Sequence, residues 1–98
     1  MVIHNEYIEG STSSGELVAN TRQFLMGIVR QIVIQPATGT TTYNLSIVND
    51  NSIEVFYSDS VTGNFSEETA LPFRGVYTVT ISGATKDEAF KIGLLTEE

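Results

Sequence analysis

The sequence contains no cysteine and no tryptophan, only two prolines, and a single histidine, His4. Without cysteine there is no disulfide framework, no thiolate nucleophile and no cysteine-held metal. The compartment stays open, because small cysteine-free domains occur both inside and outside cells. His4 stands near the N-terminus with no partner beside it in sequence. General acid–base chemistry needs a positioned partner, so His4 reads as a surface residue.

Basic residues are also scarce. Five Lys and Arg face twelve Asp and Glu, for a formal net charge of −7. The five (Arg22, Arg30, Arg74, Lys86 and Lys91) are scattered, whereas phosphate binding needs them clustered. Nucleic acid is therefore not an expected partner. The charge suits solubility, or a basic partner surface. No apolar run approaches the roughly 18 residues of a spanning helix. The opening MVIHNEYIEG lacks the basic-then-apolar order of a secretion signal. Neither membrane insertion nor signal-directed export is expected. The glycosylation-type triplets at Asn44 and Asn64 are then chance matches.

What is present is strand and turn chemistry. Ninety-eight residues make one domain, which buries only about 60–65% of its unfolded surface. Thr42–Val48 alternates cleanly, with Tyr43, Leu45 and Ile47 on one face. NDNS at 49–52 is a hairpin signal, and Ile53–Tyr57 returns with Ile53, Val55 and Tyr57 on one face. Val76–Ser82 alternates with Tyr77, Val79 and Ile81 together, and Ala89–Leu95 places Phe90, Ile92 and Leu94 inward. Phe24–Gln35 is the longest apolar stretch. Leu17, Val18, Phe24, Leu25 and Ile28 also fit helical spacing, but Gly27, Pro36 and the β-branched content favour a strand. Read so, Ile28, Arg30, Ile32 and Ile34 share one face, and Arg30 must sit near a sheet edge or meet a carboxylate. Weaker strands are expected at 2–8, 16–20 and 65–72, the last at an edge because Pro72 cannot donate to a ladder. Seven or eight strands at this spacing predict an all-β fold, a single small antiparallel β-sandwich or jelly-roll-like barrel. Residues 1–15 form an N-terminal arm or a first strand ending in the flexible loop GSTSSG, and 16–98 the sandwich. Tyr43-x-Leu-x-Ile and Tyr77-x-Val-x-Ile echo each other, as a duplication or as ordinary strand grammar.

The residues offer little chemistry. Ser11–Ser14 lack a base and a nucleophile elbow. Asp50, Asn51, Ser52 and Glu54 carry oxygens suited to Ca²⁺ but lack the spacing of a calcium loop, and read as a hairpin turn. The doublets Glu67-Glu68 and Asp87-Glu88 sit in turn-like sequence, where solvated charge is the simple reading, not a glycosidase pair. No catalytic, cofactor or metal residue is assigned, no cofactor is expected, and the chain reads as non-enzymatic. Most aromatics explain themselves as core. Phe56, opposite Val55 and Tyr57, and Phe65 and Phe73, flanking the irregular stretch, are candidate interface residues. So is the N-terminal apolar patch Val2, Ile3, Tyr7 and Ile8.

The landmarks GIVRQIVIQPATGTTTYNLSIVND, SVTG, LPFRGVYTVTISGAT and DEAFKI, between about Gly27 and Leu95, resemble small β-sandwich structural proteins of tailed bacteriophages. That resemblance implies a virion component, foremost a capsid decoration or cement protein on the capsid exterior. Such a protein would pass through the host cytoplasm during assembly and bind the major capsid protein or other virion proteins, with a homo-oligomer possible. A neck or tail component in far fewer copies is the alternative, and a carbohydrate-binding sandwich a further one. The resemblance carries no catalytic motif and no binding residue.

Overall fold

The computed structural model describes residues 3–21 and 25–97, with the side chains of all of these except Ile3, His4, Leu25, Met26 and Phe73. Eight strands follow one another: β1 (Ile3–Ser11), β2 (Leu17–Asn20), β3 (Leu25–Pro36), β4 (Thr42–Val48), β5 (Glu54–Thr62), β6 (Phe65–Gly75), β7 (Thr78–Ser82) and β8 (Ala89–Glu97). No helix occurs among the described residues. The strands form two four-stranded sheets, ordered β1-β8-β3-β6 and β2-β7-β4-β5, and every pairing is antiparallel. The fold is a β-sandwich, as the alternation predicted.

The core is made by the inward set of each sheet. Ile32, Ile34, Ile92, Leu94 and Phe90 come from one side, and Tyr43, Leu45, Ile47, Val79 and Ile81 from the other; all are at most 1% exposed. The Tyr43 and Phe90 rings meet edge to face at 5.1 Å and 82°, joining the two layers. The two echoing segments lie side by side, with Leu45 opposite Ile81 and Ile47 opposite Val79.

Two strands depart from simple alternation. In β3 the register shifts between Val29 and Gln31, against both β6 and β8. Arg30 is the bulged residue. Val29 is therefore buried ahead of it, and Ile32 and Ile34 after it. The expected face of Ile28, Arg30, Ile32 and Ile34 is thus broken at its second member: Arg30 is exposed, and its Nε donates to Glu97 Oε2 at 3.2 Å. The Val29 carbonyl is capped by the hydroxyl of Thr69. A bulge changes which residues share a face, and nothing local in GIVRQIVI announces it.

β5 shows the same effect. Its register slips between Ile47 and Val48 and again between Tyr43 and Leu45. Ile53 and Tyr57, expected inward, are 59% and 54% exposed. Phe56, expected on the opposite face, packs against the core with Val55 and Val61. The second slip carries Ser60, with φ 54°, whose N–H donates to Asn44 Oδ1 at 3.0 Å.

The expected loop GSTSSG is also not loose. Gly10 and Ser11 belong to β1. Ser14 and Gly15, with φ 52° and 79°, form the corner of a tight turn in which Ser13 and Glu16 exchange backbone hydrogen bonds at 2.9 and 3.1 Å. The next residues on the far side of the sequence lock it. The Asp87 carboxylate accepts the Ser14 N–H at 3.1 Å and the Gly15 N–H at 2.8 Å.

Candidate binding faces

The acidic doublet Asp87-Glu88 is a clasp. Glu88 accepts the Thr38 N–H at 3.0 Å and its hydroxyl at 2.9 Å, and the Glu88 N–H donates to Thr12 Oγ1 at 2.9 Å. Its side chain is only 6% exposed, with Lys86 Nζ 3.8 Å away. The Thr38 N–H holds the carboxyl below its ordinary value of 4.5 against the opposing cost of burial, helped by the Thr38 and Thr41 hydroxyls and Lys86. A depressed folded pKa gives stability that is complete above the unfolded value and is lost as pH falls through the folded one. Melting curves should therefore show Glu88→Gln less stable than the parent at pH 6–7. The gap should narrow below about pH 4.5. A gap that stays constant down to pH 3 would contradict a charged clasp.

At the 49–53 hairpin, Asn49 Oδ1 accepts the N–H groups of Asn51 and Ile53, each at 2.9 Å. The turn reading of that segment is what the structure shows. Among the described residues no three His, Asp or Glu side chains are placed to hold a metal ion.

The seven candidate interface residues scatter. Val2 lies outside the described residues, and Ile3 and Phe73 stand in β1 and β6 with side chains outside the description. Ile8 is 6% exposed and belongs to the core, so it cannot meet a partner in the folded chain. The reason is its strand phase: Ile8 pairs with Ile92, an inward residue of β8. Phe56 and Phe65 meet each other, ring centres 6.1 Å apart, across the open side between β5 and β6. They close the sandwich there. Tyr7 alone of the described set is freely presented, at 55% exposure.

Each sheet presents an outer face, and the two differ in charge. β2, β4 and β7 contain no charged residue. Their outward positions are Val18 and Asn20; Thr42, Asn44, Ser46 and Val48; and Thr78, Thr80 and Ser82. Register sets Val18, Thr80, Ser46 and Tyr57 in one row across the sheet. Val18 and Tyr57 at its ends are 57% and 54% exposed, and Val76 and Ile53 at the rim are 42% and 59% exposed. Hydroxyls bond along the face, Thr42 with Thr62 at 2.9 Å and Thr78 to Asn20 Oδ1 at 2.8 Å. Sequence reading missed this face because its residues are the polar half of each alternation, individually unremarked.

The opposite face, on β1-β8-β3-β6, carries most of the strand charge, including the pairs Arg30–Glu97 and Lys91–Glu9 at 3.2 and 3.8 Å. It holds a depression of about 420 Å³ whose floor is Gly93. Gly93 stands between Tyr7 on β1 and Val33 on β3, and a side chain there would meet the Tyr7 ring at 3.2 Å.

No family model matches the chain, and no curated protein matches it. Among solved structures it is similar to PliG of Aeromonas hydrophila, a periplasmic lysozyme inhibitor of g-type lysozyme. The TM-score is 0.58 at 11% identity, over 96% of this chain and 87% of PliG. What they share is a fold. At that identity the likeness extends to the sandwich and no further. A chain of infectious bursal disease virus, Gx strain, superposes at TM-score 0.37 and 8% identity. It is matched over 30% of its own length and 96% of this chain, and a likeness this loose carries no argument.

Proposed function

We propose that the protein is a non-enzymatic binding module, a decoration protein that docks on the outside of a tailed-phage capsid. The docking surface is the outer face of β2-β7-β4-β5, whose strands carry charge only at Glu54 and Asp59 on the edge strand β5. The observation that carries this choice of face is the segregation of charge. In a chain of net charge −7, three of the four strands of this sheet hold no charged residue. Interface centres are depleted in charge and keep Tyr, and burying an unpaired carboxylate would oppose docking. Val18, Tyr57, Val76 and Ile53 supply apolar area around hydroxyls already hydrogen-bonded within the face. The charged face stays in water. The capsid setting rests on the sequence resemblance of residues 27–95.

Co-sedimentation of recombinant protein with assembled shells tests both parts. Saturable binding in many copies is expected, reduced at least about tenfold by Val18→Glu combined with Tyr57→Glu, a loss of about 1.4 kcal/mol or more. Both positions are exposed, so the melting temperature should change little. Absence of the protein from purified particles by mass spectrometry would reject the capsid setting. Shell binding indifferent to the two substitutions would reject the face.

A further inference from the structure

The depression over Gly93 lies on the face that docking leaves in solvent, and its lining has a distinct chemistry. Three rows of side chains cross the sheet there. Glu9, Lys91 and Gln35 form one; Tyr7, Gly93 and Val33 the next; Asn5, Leu95 and Gln31 the third. At about 3.4 Å per residue, four residues of strand separate the outer rows by roughly 14 Å. The middle row has an aromatic side chain that leans over the buried glycine backbone, and an aliphatic side chain beyond it. The flanking rows bring three neutral planar amides, Asn5, Gln31 and Gln35. Gln31 is fixed in place, its Nε2 donating to Ser66 Oγ at 2.8 Å. The only charges in the lining, Glu9 and Lys91, face each other at 3.8 Å.

We infer that this depression is a binding site for a short neutral oligosaccharide. A sugar ring presents an apolar C–H face and a rim of hydroxyls that both donate and accept. The C–H face matches the exposed Tyr7 ring and the Val33 side chain that flank Gly93. The hydroxyl rim matches side-chain amides, each of which offers two donors and an acceptor. A volume of about 420 Å³ is in the range of small-molecule sites. Anionic saccharides are disfavoured, because Lys91 is engaged with Glu9 and the chain is net −7. A lone apolar ligand would strand the amides without partners.

The test is a backbone amide NMR titration of the full chain. The probes are maltotriose, cellotriose and triacetylchitotriose, with tri-galacturonate as the acidic counterpart. At least one neutral trisaccharide should shift the amides of Tyr7, Gln31, Val33 and Gly93 saturably at millimolar concentration, with the acidic probe weaker. Tyr7→Ala should raise Kd about tenfold, and the exposed substitution Gln35→Ala severalfold, equivalent to about 1.4 kcal/mol and less. Both variants should keep the dispersed spectrum of the sandwich. Three results would overturn the site: no neutral probe moving these amides at tens of millimolar, shifts unaltered in both variants, or the acidic probe binding best. Because Val18 and Tyr57 lie on the other sheet, failure here leaves shell docking standing, and Val18→Glu with Tyr57→Glu should leave the titration unchanged.

Discussion

Phe90→Ala is expected to cost about 3–5 kcal/mol of folding stability, the usual range for removing a large buried aromatic. Phe90 is 1% exposed at the start of β8. It stands between Gly10 of β1 and Pro36 of β3, neither of which can extend a side chain into the space left behind. It also meets Tyr43 of the other sheet edge to face at 5.1 Å, so the substitution removes a contact between layers as well as one within a layer. A domain of this size has only about 5–15 kcal/mol in total. Chemical denaturation should show a large fall in midpoint with m little changed. In a double-mutant cycle the substitution Tyr43→Leu, which removes the ring, should couple with Phe90→Ala, whereas Tyr43→Phe, which keeps it, should not. Coupling between the rings is worth about 0.5–1.5 kcal/mol. A cost below about 1 kcal/mol for Phe90→Ala would mean that the layers are not joined there.

Gly63→Ala is expected to be comparably damaging for a different reason. Gly63 sits between β5 and β6 at φ 71°, and a Cβ would come within 2.7 Å of the Gly39 carbonyl oxygen. Its N–H donates to the Thr41 carbonyl at 2.9 Å, and its carbonyl accepts the Tyr43 hydroxyl at 2.8 Å. Burial pushes the Tyr43 phenol up to about 12, which keeps it a donor throughout the ordinary pH range. The left-handed conformation alone costs an alanine about 1–2 kcal/mol. The backbone clash cannot be relieved by a rotamer change and would displace the 38–41 turn. A total of at least about 2 kcal/mol corresponds to a fall in melting temperature of roughly 8–16 °C. Gly39→Ala is the control. A Cβ at Gly39 meets nothing within 4 Å, so that variant should melt within a few degrees of the parent. Equal melting temperatures for the two variants would contradict the account.

Much of the architecture was readable in advance, and some of it was not, for physical reasons that can be named. The clean alternations at 42–48, 76–82 and 89–95 became β4, β7 and β8 with the expected residues inward. Pro72 correctly marked an edge strand, because β6 is the outer strand of its sheet. Where alternation failed, at Arg30 and in β5, a bulge had changed the phase, and so Phe56 went inward while Ile53 and Tyr57 went outward. Of the proposed interface residues, Tyr7 was visible as an aromatic near the N-terminus. The hollow beside it was not, since it forms where Gly93 lacks a side chain.

The amino-acid sequence by itself determined an all-β chain, its strands and most of its inward residues. Two-residue periodicity and turn chemistry are local, so they can be read without knowing which strands pair. It also determined the −7 charge and the absence of any thiol chemistry. Only the tertiary structure decided where that charge lies. The order β2-β7-β4-β5 gathers three uncharged strands that are far apart in sequence. It likewise set Gly93 between Tyr7 and Val33, and tied Asp87 to Gly15. Such placements are set by pairing over long sequence separation, where burial of the whole core, not local preference, selects the partner.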